Sequence, residues 1–126
     1  MDLNQITLPA VDMRASVAFY RRLGFRLIVD SPDYARFECP EGNATFSLHR
    51  VARISPDSGV VIYFETAHLE KRVRELHARG VEFLTQPGQQ RWLWHEARFR
   101  DPAGNQLCLY HAGSNRKHPP WRVQED

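Results

Sequence analysis

Glu96 and Arg98 stand two residues apart, directly after Trp92 and Trp94, in a run that reads as a β-strand. Alternation places both charged side chains on one face of that strand. A guanidinium there suits bidentate recognition of a carboxylate or phosphate. Glu96 is the candidate general base, a role that requires burial away from water. The bland alternative is a charge pair that neutralises itself at a rim. Cys108 is a second candidate for catalysis, as a nucleophile, but a thiol needs an activating partner such as histidine, and the spacing assures none. Tyr63, Trp94 and Tyr110 fall on the same side as these groups when each strand is read by parity. Such rings would stack on a flat ligand, or else pack on one another.

These residues need strands and helices to position them, and the chain reads as two copies of one pattern. In the first, Leu3 to Leu8 is a strand closed by Pro9, and Asp12 caps a helix that runs to Leu23 with Gly24 as its stop. Strands follow at Phe25 to Val29, Tyr34 to Cys39 and Ala44 to Arg50, the last two split by the turn Pro40-Glu41-Gly42-Asn43. In the second, Val60 to Thr66 is a strand and His68 to Arg79 a capped helix with Leu69, Val73 and Leu76 in one stripe. Gly80 stops it, Val81 to Leu84 is a strand, and Pro87-Gly88 turns the chain. Trp92 to Arg100 and Gln106 to His111 close the pattern around Asp101-Pro102-Ala103-Gly104-Asn105, a turn by its chemistry. The predicted class is α+β: two βαβββ modules, about 1–55 and 56–112, forming a curved mixed sheet around a cleft with helices on the convex face, and a tail over 113–126.

Parity also sorts the strands. Ile6, Leu8, Phe46, Leu48, Val60, Ile62, Phe64, Ala97, Phe99, Leu107 and Leu109 belong to the core. Gln5, Ser47, His49, Val61, Tyr63, Trp94, Glu96, Arg98, Cys108 and Tyr110 are left for the hollow. A groove of aromatics with a few polar groups is what a small-molecule site requires.

Composition excludes other classes. The 17 basic and 15 acidic residues nearly balance, against the concentrated basic patch of a nucleic-acid binder. No stretch has the length and apolarity of a membrane span and no signal peptide is legible. Cys39 and Cys108 read as two buried thiols in a reducing, cytoplasmic setting. In the tail, Pro119-Pro120-Trp121 is stiff and ends in a large ring, and Trp121 is expected to dock on its own domain or on a second subunit.

The run Asn4-Gln5-Ile6-Thr7-Leu8-Pro9, then Val11-Asp12 with Ser16, then Phe19-Tyr20-Arg21-Arg22-Leu23-Gly24-Phe25, resembles the vicinal oxygen chelate superfamily, which holds glyoxalases, bleomycin resistance proteins and extradiol dioxygenases. Val61-Ile62-Tyr63-Phe64-Glu65 and the turn from Asp101 to Asn105 complete the resemblance, which spans about residues 1 to 112. It implies paired modules around a cleft, often in a homodimer. Its metal enzymes place ligands at positions that fall here on Gln5, Ser47, Val61 and Cys108. Valine cannot ligate, and an amide, a hydroxyl and a thiol are a poor set for a Lewis-acid ion. The expectation is therefore a small-molecule binding protein with the usual metal site degenerate and no cofactor, its ligand aromatic or anionic. A remodelled site of Gln5, His49 and Cys108 around zinc is the metal-bearing alternative. The rival functions are a lyase, dioxygenase or transferase of the same superfamily, working through such a metal or through metal-free acid-base chemistry, and a protein-interaction domain using the tail.

Overall fold

The computed structural model describes residues 1–55 and 58–124. Its elements run β1 (Gln5–Ala10), α1 (Met13–Arg22), β2 (Arg26–Ser31), β3 (Tyr34–Glu38), β4 (Thr45–Arg50), β5 (Val61–Glu65), α2 (Leu69–Ala78), β6 (Gly88–Gln89), β7 (His95–Arg100) and β8 (Gln106–His111). This is an α+β protein of two βαβββ modules. Each builds its own four-stranded mixed sheet, in the order β1-β4-β3-β2 and β5-β8-β7-β6. In both, the first strand runs parallel to the last, Ile6 opposite Phe46 and Ile62 opposite Leu107. A helical crossover is what allows that parallel pairing within one module. The chain groups into two compact units, Met1–Val60 with Arg100–Asn105, and Val61–Phe99 with the chain from Gln106 onward.

The internal repeat extends to the helix ends. Gly24 and Gly80 take φ of 103° and 90°. At each, the glycine N–H reaches back to Arg21 or His77, and the next residue, Phe25 or Val81, bonds the carbonyl of Tyr20 or Leu76. Those are the paired bonds of a Schellman stop, which needs a residue tolerant of positive φ. The helix starts differ. The Asp12 carboxylate accepts from the Ala15 N–H at 3.1 Å, whereas His68, expected to cap α2, makes no side-chain cap bond.

The core of the first unit is aromatic. Tyr20 is fully buried and meets Phe46 and Phe37 at ring-centre distances of 4.9 and 5.8 Å. Its hydroxyl donates to Asp101 at 2.6 Å. Asp101 also accepts from the Ala103 and Asn105 N–H groups and from the Asn105 side-chain amide, which in turn donates to the Pro9 carbonyl. The turn chemistry read in the sequence thus becomes a buried hub within that unit. Burial, then the Asp101 charge, holds the Tyr20 phenol well above its ordinary range.

Several expectations are corrected. Val81 to Leu84 is not a strand: only Phe83 bridges, to Phe99. Val81 is buried and Phe83 packs on Phe99, but Leu84 is exposed and the stretch reaches β7 only through that bridge and the Leu84 N–H, which donates to the Arg98 carbonyl at 2.7 Å. Gly88 opens β6 instead of turning the chain, and the turn falls at Arg91 and Trp92, so both tryptophans precede β7. Val60 is 56 % exposed and lies outside the core, one residue before β5 begins. Trp121, expected to dock on its own domain or on a second subunit, is 57 % exposed in the single chain. The tail after β8 forms a 3-10 turn, Gly113–Arg116, rather than plain loop. Two of its N–H groups, on Ala112 and Gly113, are satisfied by the Glu65 carboxylate at 2.8 and 3.0 Å.

Candidate functional site

The predicted site residues form two clusters, one in each unit. In the second unit, Glu96 is buried to 2 % exposure by its place on β7. One carboxylate oxygen accepts from the Trp92 indole at 2.6 Å, the other from Arg98 at 3.0 Å. The same Arg98 nitrogen donates to the Tyr63 hydroxyl at 3.1 Å, and the guanidinium lies 5.8 Å from the Tyr63 ring centre. Burial works against the Arg98 charge, but the bonds to Glu96 and Tyr63 outweigh it and raise its affinity for the proton. Trp92 reaches Glu96 from a turn in which Leu93 has φ of 70°. A non-glycine residue held there costs about 1–3 kcal/mol. The strained turn carries the indole of Trp92, half-exposed, onto a buried acid.

Cys108 lies opposite Tyr63 across the β5–β8 pair. It is fully buried and packs with Tyr110, Ala112, Val61 and Trp94. Burial, reinforced by the Glu96 charge, pushes its thiol up to about 12. A thiolate is therefore scarce at neutral pH, which removes the basis for a nucleophile. Trp94 stacks on Tyr110 with centres 4.7 Å apart, and both meet Tyr63 edge-on at 5.6 and 5.4 Å. The three aromatics predicted to share a face do share it. They pack on each other, Tyr110 buried and Tyr63 39 % exposed, so Tyr63 and Trp92 present the accessible ring surface.

In the first unit, Ser47 is fully buried on β4. It accepts from the Gln5 amide at 2.8 Å and shares a 2.5 Å bond with the Tyr34 hydroxyl, which accepts from Arg36 at 3.0 Å. The Gln5 amide oxygen is occupied by the Thr45 hydroxyl. The bonds from Ser47 and Arg36 hold the Tyr34 phenol below its usual range. His49 lies opposite Tyr34 and is exposed. Tyr34 and Arg36 are absent from the sequence-derived set, although both sit on β3 opposite His49 and Ser47. The available signal was their parity, which places them on the same face as Ser47.

Of the positions the resemblance points to, Val61 offers no donor, and the Gln5 oxygen and the Ser47 hydroxyl are committed to neighbours. Among the described residues, no three of His, Cys, Asp and Glu converge as a metal-binding group. A shallow groove of about 530 Å³ runs along the outer flank of α1 past Arg14, Val17 and Ala18 to Asp30, and none of the predicted site residues lines it.

The sequence signature of the Glyoxalase/Bleomycin resistance protein/Dioxygenase superfamily matches residues 2–109. The chain belongs to that superfamily. No curated relative matches it significantly. Among solved structures it resembles a glyoxalase/bleomycin resistance protein/dioxygenase from Nocardioides, at 23 % identity and TM-score 0.76, over 98 % of this chain and 90 % of that one. A bleomycin-binding protein complexed with bleomycin matches at 22 % identity and TM-score 0.72, over 88 % and 98 %. Lactoylglutathione lyase from Agrobacterium tumefaciens matches at 19 % and 0.71, over 87 % and 92 %. At such identities the likeness establishes a shared fold.

Proposed function

We propose that the chain is a small-molecule binding protein of the bleomycin-resistance type, in which the ring surfaces of Tyr63 and Trp92 and the Glu96–Arg98 pair receive the ligand. The carrying observation is the buried Glu96 carboxylate, held by the Trp92 indole and the Arg98 guanidinium beside the accessible rings of Trp92 and Tyr63. A few fixed polar groups among aromatics is the composition of a ligand site. The donor chemistry at Gln5, Ser47, Val61 and Cys108 supports a reading without a resident metal. A cytoplasmic homodimer belongs to the same proposal, on the family resemblance and the two free thiols.

The fold is shared with a protein that binds bleomycin, so bleomycin and a panel of aromatic carboxylic acids are the probes. Saturable quenching of tryptophan fluorescence is expected, weakened at least five-fold by Tyr63→Ala and by Trp92→Ala. Absence of saturable quenching across the panel in folded protein overturns the proposal. Burial of Glu96 favours acid-base catalysis as a second reading. Glu96→Gln separates the two, because catalysis predicts retained affinity with lost turnover of any compound the wild type consumes.

A further inference from the structure

Arg36 is half-buried on β3, yet among the described residues it forms no ion pair. The acids nearest in sequence are taken: Glu38 by Arg26 at 3.4 Å and Asp33 by Arg50 at 2.8 Å. The Arg36 Nε–H is tied to the Tyr34 hydroxyl at 3.0 Å, and its guanidinium carbon lies 5.4 Å from the Tyr34 ring centre. Those contacts fix the plane of the fork, while no hydrogen bond among the described residues uses its two terminal nitrogens. A surface arginine that waves in water offers the same charge without this orientation.

The hydroxyls beside it carry a surplus proton. Tyr34 and Ser47 share one hydrogen bond, in which either can donate. Tyr34 already accepts from Arg36 and Ser47 from Gln5. Two hydroxyl protons serve one bond, so one proton has no acceptor within the cluster. The assembly therefore presents donors in excess: a planar cationic fork and a spare O–H, with no acid among the described residues to neutralise them.

We propose that this cluster binds an oxyanion, the carboxylate or phosphate group of a small ligand, through the terminal nitrogens of Arg36 and the Tyr34 hydroxyl. A guanidinium fork matches two oxygens of such a group, and the hydroxyl supplies a third donor. Arg98, the anion ligand expected from the sequence, is instead engaged by Glu96 and Tyr63. The inference rests on the first unit alone and stands or falls separately from the aromatic cluster of the second.

The test is a titration of the 15N-labelled full chain with sodium phosphate and, separately, sodium acetate at constant ionic strength, following the backbone amides of Tyr34, Arg36 and Ser47. Saturable shifts are expected for at least one anion, and the anion bound more tightly identifies the class. Arg36→Gln should weaken binding at least ten-fold. Arg36→Lys, which keeps the charge but loses the fork, and Tyr34→Phe should each weaken it several-fold. Shifts that never saturate, or equal affinity in Arg36→Gln, overturn the inference. If Arg36→Gln does not fold, unchanged affinity in both Arg36→Lys and Tyr34→Phe overturns it, and weakened affinity upholds it.

Discussion

Cys108 shows how one side chain is decided by its surroundings. Its folded-state thiol is pushed up to about 12 by burial and by Glu96, whereas a thiol in an unfolded chain ionises near 8.5. The folded state therefore holds its proton more tightly, so the stabilising difference is fully present below about pH 8.5 and is lost as pH rises toward 12. Denaturant titrations at pH 7 and pH 10 should show lower stability at the higher pH, and a smaller loss in Cys108→Ala. A thiol-specific reagent should label Cys108 only on unfolding. Elemental analysis of untagged protein should find equal metal content in wild type and Cys108→Ser; a fall in zinc in the variant would restore the remodelled site. Arg98 is a different case, since Arg98→Met leaves Glu96 buried with Trp92 as its remaining donor. Breaking a buried pair from one side costs about 3–5 kcal/mol. The Arg98 side chain is 36 % exposed, so water reaches it, and roughly 1–3 kcal/mol is expected in a denaturation experiment.

At the scale of elements, the helix stops and the late turn carry the argument. Gly24 has φ of 103° with nothing within 4 Å of where a Cβ would stand. Gly24→Ala should thus cost only the backbone strain, about 1–2 kcal/mol, with no steric component. A much larger loss in thermal denaturation would mean that the space is filled in solution. The turn is more demanding. Asp101 is 5 % exposed and receives four hydrogen bonds, two from backbone and two from side chains. Asp101→Ala leaves the Tyr20 hydroxyl without its partner among the aromatic rings of the first unit. Unsatisfied buried donors cost about 1–3 kcal/mol each, so Asp101→Ala should destabilise more than Tyr20→Phe, which removes only one donor. The reverse order in chemical denaturation would show that the hub is not where the stability lies.

For the whole molecule, the two units share one topology but differ in filling. The first sheet carries a hydroxyl–guanidinium cluster over a phenylalanine-rich core; the second carries stacked aromatics around a buried acid. No helix among the described residues is long and apolar enough to cross a membrane. Trp121, like Leu84 and Val123, is a large apolar side chain that the second unit leaves exposed. Trp121→Ala should change monomer stability by less than about 0.5 kcal/mol, as is usual for exposed positions. A changed sedimentation coefficient in that variant would place the ring in a subunit contact, and a large loss of monomer stability would mean that it docks on its own domain after all.

Sequence alone determined the element order, because the apolar periods and the glycine stops are local properties of consecutive residues. It determined the superfamily for the same reason: Asp12, the Phe19-Tyr20 pair and the Asp101 to Asn105 turn act through near neighbours before they act at a distance. Parity then placed Tyr63, Trp94 and Tyr110 on one face correctly. Tertiary structure decided the partners. The Glu96–Arg98 pair lies within one strand and was legible by parity; that Tyr63 joins Arg98 while Arg36 meets no acid among the described residues depends on which strands lie side by side, and parity within one strand carries no information about its neighbours. The strand expected at Val81 to Leu84 failed on the same ground: only Phe83 and Leu84 reach β7, and how much of a short apolar run a neighbouring strand pairs is not a local property.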